Sequence, residues 1–129
     1  MSRQEIQVTG GAANRPYSDA VRFGNLLFVS GLVGTDDSGA IVAADAGGQA
    51  RQIMANLGRI LSSVDAGFGD ILRVTIYLID MADRPAVSAV RSEFFSPARP
   101  ASTLVEVSKL VHPDMKVEIE AIVGLNNPG

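Results

Sequence analysis

The run Val117-Glu118-Ile119-Glu120-Ala121-Ile122 constrains the fold more than any other stretch of the chain. Apolar and acidic residues alternate through it, and successive side chains of a strand point to opposite faces. Val117, Ile119 and Ala121 therefore share one face, and Glu118 and Glu120 share the other. The two carboxylates stand about 7 Å apart at the Cα level. On spacing alone the ordinary reading is a half-buried strand with a solvated polar face. The pair is also the most chemical-looking feature of the sequence.

The segments around it assign themselves by the same kind of pattern. Gln4 to Val8 alternates and suits a short strand, and Thr9 to Pro16 reads as a loop. Residues 19–23 and 26–30 form a hairpin around Gly24-Asn25, a pair that readily takes positive φ. Leu26 to Val29 is continuously apolar, which predicts a strand buried on both faces. Gly34 to Gly39 is a solvated turn. No Gly-Lys-Ser/Thr follows it, and the spacing of Asp36 and Asp37 fits no calcium loop.

Asp45 is positioned as the N-cap of a helix reaching Val64. Ala50, Ile53, Met54, Leu57, Ile60, Leu61 and Val64 make its apolar stripe, with Arg51, Gln52 and Arg59 outside it. Gly67-Phe68-Gly69 breaks the chain. Residues 71–79 are rich in β-branched side chains and predict a strand. Asp80 to Asp83, with Pro85 in the first turn, starts a second helix that ends near Phe95. Its expected buried stripe is Ala86, Val87, Val90 and Phe94. A proline-punctuated loop from Pro97 leads into the last two strands, and Asn126 to Gly129 is a polar tail. The order predicts an α+β fold, a mixed sheet with two helices on one face. The other face needs a cover of its own wherever it is apolar.

Composition excludes several functions. The 129 residues, 47% of them hydrophobic, suffice for one domain with one core, 1–129. A net charge of −3 without a basic run argues against a nucleic-acid partner. There is no cysteine, hence no disulfide and no thiol chemistry, which fits a reducing compartment. No apolar run is long enough for a membrane span, and the first residues lack a secretory apolar core. A cytoplasmic protein without metal or other cofactor is the expectation. The single histidine, His112, falls in a loop, away from any serine-acid pair.

Several motifs, taken in order, resemble the RidA (YjgF/YER057c) family: Pro16-Tyr17-Ser18, Leu27-Phe28-Val29-Ser30-Gly31, Arg73 to Leu78, Val105-Glu106-Val107 and Val117 to Ile122. The match covers nearly the whole chain. It implies a fold like trimeric bacterial chorismate mutase, a homotrimer, and a small-molecule pocket between subunits. It also implies hydrolysis of reactive 2-imino acids to 2-keto acids and ammonia. By resemblance Tyr17, Ser30 and Gly31 line the pocket, and Glu118 is the glutamate placed near the attacking water. Read by themselves, Tyr17 is a loop tyrosine at the edge of the core and Ser30 a strand-end hydrogen-bonding residue.

One departure stands out. Deaminating members carry an arginine four residues before the glutamate of the Val-Glu-Val run. Here that glutamate is Glu106, and the arginine position holds Ser102. Arg99 lies three residues upstream of Ser102. Three readings follow. In the first, Arg99 or an arginine of a neighbouring subunit grips the substrate carboxylate. In the second, Ser102 and Thr103 bind a neutral polar group of a different enamine. In the third, the protein is a non-catalytic trimer that binds small molecules or proteins. A fourth family association, RNA cleavage and translation inhibition, finds no basic patch to support it.

Overall fold

The computed structural model describes residues 2–10 and 15–126. Six strands form one sheet: β1 (Arg3–Ile6), β2 (Ala20–Phe23), β3 (Leu26–Val33), β4 (Ile71–Leu78), β5 (Ala101–Glu106) and β6 (Val117–Gly124). Their spatial order is β1-β2-β3-β6-β4-β5, with β4 and β5 parallel and every other pair antiparallel. Helix α1 (Ala46–Ser62) lies on β3 and β6, and helix α2 (Arg84–Phe94) packs beside α1. The mixed sheet with two helices expected from the sequence is therefore present.

The local signals work as read. Gly24 turns the hairpin with φ +64°. Asp45 caps α1 by accepting the Gly48 amide at 2.9 Å. In β6 the alternation is complete: Val117, Ile119, Ala121 and Val123 are buried under the helices, together with Leu27 and Val29 of β3 and Val74, Ile76 and Leu78 of β4.

Two expectations need correcting. Leu26 and Phe28 are exposed, so β3 is buried on one face only within a single chain. They point with Val21 and Phe23 to the face opposite the helices. In α2 the stripe shifts: Val87, Val90 and the following Phe95 are buried, whereas Ala86 is exposed and Phe94 only half-buried. Phe95 turns inward to stand edge-on to Phe68, with ring centroids 5.9 Å apart.

Two buried polar residues of α1 escape the apolar-stripe reading. Asn56 donates to the Thr35 carbonyl. Gln49 donates to the carbonyls of Ala43 and Asp114 and accepts the Lys116 amide at 2.8 Å. Gln49 thus anchors the connection between β5 and β6, the segment that carries His112. That histidine is exposed and accepts the Asp114 amide at 3.1 Å, a contact internal to its own turn.

Candidate functional site

The two carboxylates of β6 share the open face but not the same surroundings. Glu120 accepts a very short hydrogen bond from the Tyr77 hydroxyl. That bond holds the Tyr77 phenol above its ordinary pKa. Glu118 accepts no hydrogen bond among the described residues. Burial, and then the neighbouring charge of Glu120, push its carboxyl above the usual range. One carboxylate is therefore used structurally, while the other is half-buried and available.

The place of Glu118 is set by a bulge. The pairing of β3 with β6 shifts register between Val29 and Leu32, which sets Ser30 and Gly31 out of the regular ladder. The Glu118 side chain fills the space a β-carbon would occupy on Gly31, approaching that point to 2.8 Å with its Cδ. Gly31 is thus required for room and has no positive φ. Ser30 donates its hydroxyl to the Ser18 carbonyl at 2.6 Å and its amide to the Asp19 carbonyl at 2.9 Å. These two bonds tie the Tyr17 segment to the bulge.

Asp19, which sequence reasoning missed, organises that segment. Its side chain is fully buried and accepts the Val8 and Thr9 amides, the Thr9 hydroxyl and the Arg15 guanidinium, each within 2.8 Å. Burial opposes its charge, but hydrogen bonds from Thr9, Val8 and Arg15 outweigh burial and hold its pKa below the ordinary value. Arg15 then stands over the Tyr17 ring at 4.7 Å, leaving that ring half-exposed. No sequence pattern marks Asp19, because its partners are loop amides 10 and 11 residues away.

The other candidates lie elsewhere. Thr103 is on the open face, where it accepts from Arg73 at 2.7 Å. Ser102 points the opposite way, since neighbours in a strand alternate. It accepts a hydrogen bond from Arg91 of α2 at 3.0 Å. Arg99 is exposed and lines a cavity of about 360 Å³ with Ser88, Arg91, Ser92, Phe95 and Pro100. Within one chain the predicted residues therefore separate. Ser30, Gly31 and Glu118 meet at the β3 bulge, with Tyr17 in the segment tied to it, Thr103 lies beside Arg73 on the open face, and Arg99 and Ser102 lie at the sheet edge with Arg91. Glu106 accepts the Met81 amide at 2.8 Å and supports the turn before α2.

Comparison with known proteins agrees with this architecture. The family model described as Endoribonuclease L-PSP matches residues 9–125. A RutC family protein of Pyrococcus horikoshii is 41% identical over 108 residues, covering 83% of this chain and 85% of that protein. The 2-iminobutanoate/2-iminopropanoate deaminase of Salmonella typhimurium is 34% identical over 125 residues, covering 95% and 97%. The crystal structure of the YjgF gene product of Escherichia coli superimposes with a TM-score of 0.85 at 34% identity, covering 94% of this chain and 98% of that one. The fold is the chorismate mutase-like fold of these proteins. With the family model spanning most of the chain, the protein belongs to the RidA (YjgF) family.

Proposed function

We propose that the protein is an imine or enamine deaminase that hydrolyses a reactive 2-imino acid to the 2-keto acid and ammonia. The observation that carries this reading is Glu118: a half-buried carboxylate, raised in pKa, without a hydrogen-bond partner among the described residues, folded over Gly31. A carboxylate so placed can hold a water and exchange protons with it, and its raised pKa makes it a stronger base than an ordinary glutamate. The relative named 2-iminobutanoate/2-iminopropanoate deaminase supports the substrate class.

In the proposed reaction Glu118 takes a proton from the water as its oxygen bonds to the imine carbon. The same proton passes to the nitrogen. Glu118 then carries the hydroxyl proton to the amine nitrogen as the carbon–nitrogen bond breaks, so the keto group forms and nitrogen leaves as ammonia. Water and imine are consumed, and the carboxylate is regenerated. Positioning the water supplies much of the acceleration.

The site is completed in a homotrimer. Phe23, Leu26, Phe28, Leu72 and Val105 leave an apolar open face in the single chain, an area that a soluble protein ordinarily covers. Packing copies through that face brings the bulge of one subunit toward the sheet edge of another. The test is ammonia release from enzymatically generated 2-iminopropanoate. Wild type accelerating release over the spontaneous rate, with a loss of about a hundredfold or more in Glu118→Gln, supports the reading. No acceleration by wild type excludes it and leaves a binding role.

A further inference from the structure

We propose that Arg91, on α2, is the cation that binds the substrate carboxylate in this chain, standing in for the guanidinium that Ser102 lacks. The inference rests on the imino-acid reading for its ligand class, but its geometry is independent of catalysis.

Arg91 reaches Ser102 itself. Its Nη1 donates to the Ser102 hydroxyl at 3.0 Å. The guanidinium is thereby delivered to the strand position at which the family resemblance leads one to expect an arginine. Serine is small enough to leave that space open, and its oxygen orients the planar group. Phe95 supports it from below, with its ring centroid 5.9 Å from the guanidinium carbon. Arginine suits the task because its fork matches a carboxylate with two parallel hydrogen bonds.

Arg91 also lacks what other arginines of this chain have. Arg15, Arg51 and Arg59 each hold a carboxylate at 2.8 Å. No carboxylate pairs with Arg91 among the described residues. Burial lowers its pKa with no acidic neighbour to offset the effect. A half-dehydrated cation without a counter-ion is an open site for an anion. The adjoining cavity of about 360 Å³ is lined by Arg91 and Arg99, the hydroxyls of Ser88 and Ser92, Phe95 and Pro100, and by no acid. Its size falls in the range of small-molecule sites. Arg99 is exposed on its outer wall, so Arg91 is the primary ligand and Arg99 a secondary one.

Its place at the sheet edge fits a shared site. β5 is the terminal strand, so the groove between it and α2 opens at the edge of the sheet, where a second copy would have access to it. The chain's own Glu118 lies on the opposite sheet face and cannot reach it.

The test is equilibrium binding of pyruvate and of its uncharged amide, pyruvamide, by titration calorimetry. The proteins compared are wild type, Arg91→Gln, Arg91→Lys and Arg99→Gln. Wild type is expected to prefer pyruvate. Arg91→Gln should weaken pyruvate binding by about tenfold or more while leaving pyruvamide little changed. Arg91→Lys should keep part of the preference, which a mere folding defect would not produce. This result supports the clamp even if no ammonia is released from any imine. Pyruvate binding that is unchanged in Arg91→Gln, lost only in Arg99→Gln, or absent from wild type overturns it. Turnover of 2-iminopropanoate with an unaltered KM in Arg91→Gln overturns it while leaving the deaminase reading intact.

Discussion

The carboxylate of Glu118 occupies the volume that a side chain on Gly31 would need. Strand β6 supplies the acid and the bulge in β3 supplies the space, so two distant parts of the sequence make one feature. Replacing Gly31 by alanine sets a methyl group against the end of a flexible side chain rather than against backbone. The fold should survive, with a melting temperature within a few degrees of wild type, because the carboxylate can move aside. Ammonia release should fall by about a hundredfold, since a small misplacement of a reacting group has that effect. Paired calorimetry and kinetics on Gly31→Ala check both halves.

Gly34 offers the contrast. A β-carbon there would stand 2.7 Å from the Gln49 Cα, a backbone atom of α1 that cannot yield cheaply. Gly34→Ala should therefore unfold at markedly lower denaturant concentration than Gly31→Ala, by the equivalent of roughly 2 kcal/mol or more. Urea titration of the two variants compares them directly.

The raised pKa of Glu118 has a consequence for stability. Folded Glu118 keeps its proton to a higher pH than the unfolded residue, because burial and Glu120 disfavour the charge. The folded state thus binds more protons in the window just above the ordinary glutamate value, and stability falls as pH rises through it. Glu118→Gln removes this term. The variant should be slightly more stable than wild type at pH 7, by well under about 1 kcal/mol for a half-exposed group screened by solvent. The gain should vanish near pH 4, where an unfolded glutamate is itself largely protonated. Melting curves of both proteins across that range test the sign.

Asp19 titrates in the opposite sense. Its folded pKa is held down by the Thr9, Val8 and Arg15 hydrogen bonds against the cost of burial. The stability it contributes is present above the ordinary aspartate value and is lost as pH falls through the folded one. Asp19→Ala leaves two amides and a guanidinium without their acceptor and should cost roughly 3 kcal/mol at pH 7. The cost should shrink in acid. Denaturant unfolding at pH 7 and pH 3 measures the difference.

Much of the fold was legible because its signals are local. The alternation of Val117 to Val123, the Gly24 turn and the Asp45 cap each depend on residues a few positions apart. Leu26 and Phe28 misled for a physical reason: a continuous apolar run tells that both faces avoid water, but not whether the second cover comes from the same chain. Glu118 stood out by its spacing, yet its distinction from Glu120 rests on the diagonal reach of Tyr77 from β4, which no spacing shows. Arg99 drew attention by sequence proximity to Ser102. Arg91, eleven residues away, is the arginine that meets it, because the packing of α2 turns it toward β5. Gln49 and Asp19 were invisible for the same reason, since their partners are loop backbone brought near only by the fold.

In the proposed assembly, Glu118 of one copy and the Arg91 groove of another form one site. Coexpression of Glu118→Gln with Arg91→Gln, followed by assay of ammonia release from 2-iminopropanoate, tests it most directly. At subsaturating substrate Glu118→Gln alone should lose activity by about a hundredfold or more, and Arg91→Gln alone by about tenfold or more. In randomly assembled mixed trimers, about a quarter of the shared sites would combine an intact Glu118 with an intact Arg91, and activity should recover in that proportion. A mixture no more active than the better parent, with mixed trimers verified, would show that the two residues do not share a site.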